Sequence, residues 1–131
     1  MSQKKLIIVT LLVSCNIFFL TACYKDKTVL VQGDVTKTVS FSNDIVPIFN
    51  KSCNMAGCHN SGGQVPDLTR ENAFRALFEE DMISVDDPAN SEIIGWLTGK
   101  IKPAMPFGAA SNPSNINGII LAWIKQGANN N

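Results

Sequence analysis

The chain contains one histidine, His59, and it directly follows a cysteine, Cys58, with a second cysteine five positions earlier at Cys53. The segment Cys53-Asn54-Met55-Ala56-Gly57-Cys58-His59 therefore places two thiols and an imidazole within a single short stretch, and the fold must form around that cluster. The residues between the cysteines have to bulge, and Gly57 supplies the backbone freedom for it. No Ser-His-Asp constellation can be built elsewhere, because the only imidazole is already committed here.

The N-terminus says in which compartment these thiols fold. Residues 1–22 read as a secretory signal: Lys4 and Lys5 are followed by an apolar run from Leu6 to Leu20, broken only by Thr10, Ser14 and Asn16, and then by small Thr21 and Ala22. The run is too short and too polar in its middle for a membrane-spanning helix, which needs about 20 apolar residues. Leu20-Thr21-Ala22-Cys23 resembles the bacterial lipobox. That resemblance implies acylation of Cys23 and attachment to a lipid membrane of the cell envelope, since two or more acyl chains give a stable anchor. An ordinary cleavable signal with a stray cysteine is the alternative. Cys15 lies inside the apolar run and leaves with the signal. Export also means an oxidising setting, in which Cys53 and Cys58 form a disulfide unless something else uses them.

At 131 residues the chain is long enough for one domain. Lys+Arg and Asp+Glu are equal at 11 each, so there is no basic stripe of the kind a nucleic-acid binder needs. Residues 23–40 read as a polar, β-branched tether, with a short hairpin turning at Gly33-Asp34 as an option. From 41 to 128 the pattern is that of an all-α domain with long irregular loops. Ser42 or Asn43 caps a first helix with Pro47 in its first turn and Ile45, Ile48 and Phe49 on one face. Thr69 caps a second helix through Phe78, and Asn90 or Ser91 caps a third that Gly99 stops. The last helix is the clearest: Asn112 caps it, Pro113 takes its first position, and Ile116, Ile119, Ile120 and Trp123 repeat at helical spacing. Gly127 closes it, leaving a frayed Asn tail. Phe49, Phe74, Trp96 and Trp123 are expected in the core. So thin a core gains much from a large apolar cofactor.

Cysteine-histidine adjacency is the mark of covalently attached haem, usually spaced C-x-x-C-H. Here the spacing is C-x4-C-H: Cys58 pins the ring edge and places His59 under the iron, and Cys53 is the second attachment point, although a single bond through Cys58 would also serve. A second axial ligand cannot be histidine. Met105, stiffened between Pro103 and Pro106, is the natural candidate, with Met55 and Met82 as rivals. Met/His ligation raises the reduction potential.

These elements together resemble class I cytochrome c domains, in particular those of small bacterial lipoproteins. The matching features are Ile45-Val46-Pro47-Ile48-Phe49 leading to Cys58-His59, the Gly62-Gly63 loop, Met105-Pro106, and the closing Ala122-Trp123-Ile124-Lys125-Gln126-Gly127-Ala128. The resemblance covers roughly residues 41–128. It implies a helical fold around one haem c, His59 and Met105 as axial ligands of the iron, and electron exchange with redox partner proteins. It implies no catalysis by the chain alone, because both axial positions are filled. The competing readings are a haem-free scaffold or binding lipoprotein with a Cys53–Cys58 disulfide, and a five-coordinate iron serving as sensor or peroxidase. A zinc site lacks a fourth ligand, and blue copper wants a second histidine.

Overall fold

The computed structural model describes residues 35–108 and 114–131. Every regular element among them is helical. The first begins as a π-helical turn, Phe41–Ile45, and continues as α1, Val46–Ser52. Its cap is Ser40, whose hydroxyl accepts the Asn43 N–H at 3.2 Å while Asp44 Oδ2 accepts the Ser40 N–H at 2.9 Å. This reciprocal exchange satisfies donors at both ends of the turn, as a capping box does. Ser42 and Asn43, the expected caps, lie inside the turn instead. Pro47 sits where a missing N–H costs nothing.

Thr69 is likewise not the cap it was expected to be. Asp67 Oδ1 accepts both the Thr69 N–H, at 2.9 Å, and the Thr69 hydroxyl, at 2.6 Å. The hydroxyl oxygen accepts the Asn72 side-chain amide, at 3.4 Å, rather than a backbone N–H of the helix; a turn forms over 69–72, and α2 spans Ala73–Glu79. It ends at Asp81, which takes the left-handed conformation at φ 53. There the Met82 N–H reaches back to Leu77 O at 2.9 Å, the pattern of a Schellman stop. A 3-10 turn, Pro88–Asn90, precedes α3, Glu92–Thr98. Ser91 stands at the cap position but turns its hydroxyl to the Ser84 backbone. Gly99, at φ 75, stops α3 as expected.

Helix α4 spans Ser114–Lys125; its expected cap, Asn112, and Pro113 lie outside the described residues. It packs on the π-helical turn and on α3. Ile120, Trp123 and Ile124 are buried along it. Trp123 lies 5.1 Å, centroid to centroid, from Phe41, which in turn meets the edge of Phe74 at 5.3 Å. Around this aromatic group stand Ile45, Phe49, Leu77, Ile94 and Leu97. Phe74 is only half-buried, and Trp96 faces a cavity rather than the core centre.

The Asn tail is not frayed. The Asn131 carbonyl accepts from the Ser42 N–H and from the hydroxyls of Ser40 and Ser42, and Asn131 Oδ1 accepts the Phe41 N–H. Trp123 Nε1–H donates to Asn129 O at 2.9 Å. Val39 is buried, and Gln126 bonds both Val39 and Lys37 through its side-chain amide. Packing thus reaches from Val35 to Asn131, wider than residues 41–128. Among the described residues no helix is long and apolar enough to cross a membrane. The signal, Cys15, Cys23 and the Gly33-Asp34 turn lie outside the described residues.

Candidate cofactor cavity

Helix α1 delivers the cysteine segment. The Cys53 and Asn54 N–H groups both donate to Phe49 O, which closes the last turn of the helix where the chain leaves it. The four residues to Cys58 form an outward loop, closed by Cys58 N–H to Met55 O at 2.9 Å and by His59 N–H to Cys53 O at 3.1 Å. Gly57 turns it at φ 79, the role its position suggested. Met55, Ala56, Gly57 and Cys58 are all exposed. The extra residues therefore bulge into solvent without displacing His59 from Cys53.

Beyond His59 the chain doubles back on itself. Gln64 N–H donates to Cys58 O at 2.7 Å, and Leu68 N–H to His59 O at 2.8 Å. Gly63 is obligatory in this loop: a Cβ there would collide with the Cys58 carbonyl and lie 2.6 Å from Asn60 Oδ1. Asn60 Oδ1 is buried with no hydrogen-bond partner.

The imidazole of His59 is half-buried, with Nδ1 3.1 Å from the carbonyl oxygen of buried Pro66. A carbonyl only accepts, so Nδ1 carries the proton and Nε2 presents a lone pair. A second partner of this kind fixes the tautomer and orientation of a metal-binding imidazole.

Cys53, Cys58, His59 and Met105 all line one cavity of about 650 Å³. Its other walls are mostly apolar: Phe49, Leu68 and Leu77 from the core side, Ile93, Trp96 and Leu97 from α3, buried Pro66, and the exposed Val65 and Phe107. The volume falls in the roughly 300–1,000 Å³ range of cofactor and small-molecule sites. Both rival methionines line the same cavity: Met82 also packs against the core, and Met55 is 58% exposed. Sequence reasoning assigned Phe49 and Trp96 to the core; their second role as cavity wall had no signal in the helical repeat.

Met105 reaches the cavity on an irregular segment held to α3. Its N–H donates to Trp96 O at 3.0 Å, and Ile101 N–H donates to Gly95 O at 3.1 Å. Trp96 is itself held by its indole N–H, which donates to Glu92 Oε1 at 3.0 Å.

Cys53 and Cys58 are both free thiols. Burial pushes the Cys53 thiol up to about 11, with the nearby Cys58 adding to the shift. At neutral pH Cys53 itself therefore stays S–H. Among the described residues no three His, Cys, Asp or Glu side chains converge as a metal-binding group. The donor set on the cavity wall is instead one imidazole, thioethers and two thiols, set among apolar side chains.

Comparison of the chain with protein-family models, with curated proteins and with solved structures finds no match.

Proposed function

We propose that this chain is a lipid-anchored c-type cytochrome that carries one haem and passes electrons between redox partner proteins in the cell envelope. The observation that carries the reading is the convergence of Cys53, Cys58, His59 and Met105 on one apolar cavity. These four were singled out from the sequence for haem chemistry. They lie up to about fifty residues apart, and nothing in a generic helical bundle requires them to share a wall.

The residues fit the group in three respects. His59 offers Nε2 as an iron ligand, because Pro66 O holds the proton on Nδ1. Met105 offers a thioether from a segment tied to α3. Cys53 and Cys58 would hold the group covalently, each thiol's S–H adding across one vinyl C=C with one C–S and one C–H bond formed and no oxidant or reductant consumed. When bound, haem supplies a one-electron iron couple, and Met/His ligation with apolar walls places its potential high. Phe49, Leu77 and Leu97 keep water from the cavity interior. Cys23, acylated, would hold the domain at a membrane through the residues that precede Val35.

The test is expression in a host with a c-haem maturation system. The account expects reduced-state cytochrome bands and haem staining that survives denaturing electrophoresis. Folded protein lacking both contradicts it. Met105→Ala should lower the potential or give high-spin iron, and an unchanged spectrum would remove Met105 as the ligand. Rapid carbon monoxide binding by the ferrous wild type would point to a five-coordinate iron.

A further inference from the structure

The segment that follows Pro66 is built to hold the His59 side chain from behind. Pro66 and Leu68 both face His59: the first accepts from its Nδ1–H at 3.1 Å, the second donates its N–H to the His59 carbonyl at 2.8 Å. Asp67, between them, points the other way. Its Oδ1 takes the N–H and hydroxyl of Thr69, and its Oδ2 takes the side-chain amide of Asn72 at 2.9 Å. Three donors from the turn ahead of α2 thus converge on one carboxylate, and the chain on its near side is left one way to run. Asn54 adds a fourth tie, donating its side-chain amide to Leu68 O at 3.3 Å.

We infer that Asp67 is a positioning residue for His59: by anchoring 66–68 to the turn before α2, it keeps the Pro66 carbonyl on Nδ1 and so sets the imidazole's orientation and electron richness. The backbone carbonyl cannot be mutated away, and Pro66 has no N–H to secure it. The only side chain that fixes its direction from the adjacent residue is Asp67. A hydrogen bond to the non-ligating nitrogen raises the basicity of a histidine ligand. Loosening it would leave the iron site poorer in electrons and its potential higher. This second consequence rests on the proposed haem ligation; the first does not.

His59 is the only histidine, so its ring signals in nitrogen-15 spectra need no assignment. The experiment measures the solvent exchange of the Nδ1 proton in the chain as purified, with iron kept ferrous if haem is bound, for wild type, Asp67→Ala and Asp67→Asn. Asp67→Ala should speed exchange by about tenfold, the population change that loss of one hydrogen bond produces. Asp67→Asn, which keeps an oxygen for Thr69, should restore slow exchange. In haem-loaded protein the Asp67→Ala midpoint potential should also rise, and the Asn variant should return it toward wild type. A purely structural role would lower thermal stability in Asp67→Ala while exchange stays slow, and that result overturns the inference. If Asp67→Ala does not fold, Thr69→Val, which removes one donor to the carboxylate, carries the same expectation at smaller amplitude, and unchanged exchange there also overturns it. Absence of haem would defeat the proposed function and leave the exchange result intact as a test of Asp67.

Discussion

The backbone N–H of Met105 donates to the carbonyl oxygen of Trp96 at 3.0 Å, which ties the thioether-bearing segment to the end of α3. The tie depends on close approach just before it. A Cβ at Gly95 would lie 2.7 Å from Ile101 Cδ1 and 3.0 Å from Ile101 Cγ1. Gly95→Val should therefore push the segment off α3 at a cost of about 1–3 kcal/mol, the usual range for overpacking. In haem-loaded protein it should abolish the ferric absorption band that marks methionine ligation. Adding Ile101→Ala should recover the band, because the two sites are in contact and their effects are coupled. A band that persists in Gly95→Val alone would show that the segment is not held this way.

Trp123 links the core to the C-terminal tail. It is 1% exposed, stacks near Phe41, and donates its indole N–H to Asn129 O. Trp123→Ala should destabilise the domain by about 3–5 kcal/mol. Trp123→Phe keeps most of the apolar volume but leaves the Asn129 carbonyl without its donor, and should cost about 1–2 kcal/mol. Denaturant titration of the two variants separates them. Equal losses would mean that the apolar volume of the indole adds nothing beyond its hydrogen bond to Asn129.

How far such a residue could be read from the sequence depends on the range of its contacts. Ile120 and Trp123 were legible because a 3.6-residue repeat says which face is buried without saying against what. Gly57 and Gly99 were legible for a similar reason, since their left-handed backbone serves a local need. The helix caps were not. Ser42 looked like a cap, but its hydroxyl answers to Asn131, at the far end of the chain. Thr69 looked like one too, but its hydroxyl donates to Asp67 and accepts from the Asn72 side chain instead of from a helix N–H. Local rules rank candidates; a competing partner decides among them. The cavity shows the same division. Its ligands were named from chemistry and adjacency, while Trp96 and Leu77 joined its wall through packing that no short-range pattern records.

Acid should weaken the fold through two carboxylates. Hydrogen bonds from the Thr69 hydroxyl, and then from the Thr69 N–H, hold Asp67 below the usual Asp range. Lys37 foremost, and then the Ser40 N–H, does the same for Asp44. A carboxyl whose native pKa is depressed contributes stability above its unfolded value of about 3.9 and loses it as pH falls through the native value. Melting temperature should thus be flat near neutrality and drop below about pH 4. The Asp67→Asn variant, which has no charge to lose, should show a shallower drop over that interval. A parallel decline in both proteins would mean that Asp67 is not responsible.

Gly63 is a site where one methyl group should be decisive. A Cβ there meets the Cys58 carbonyl and the buried Oδ1 of Asn60. The Cys58 carbonyl is backbone and cannot swing aside as a flexible side-chain end does. Gly63→Ala should cost about 1–3 kcal/mol and reduce covalent haem loading, because the turn it distorts bonds directly to Cys58 and His59 neighbours. Comparing haem stain per unit of folded protein in the variant and wild type checks this. Full loading at wild-type stability would contradict the geometry.

The central claim is that the thiols of Cys53 and Cys58 bond to a haem whose iron His59 binds. Intact mass of the mature protein from its native cells reads this most directly. The account predicts polypeptide from Cys23 onward, plus acyl chains, plus the full mass of one haem that denaturation does not remove. A mature protein that weighs only polypeptide and acyl chains, with or without the two hydrogens lost to a disulfide, would contradict it.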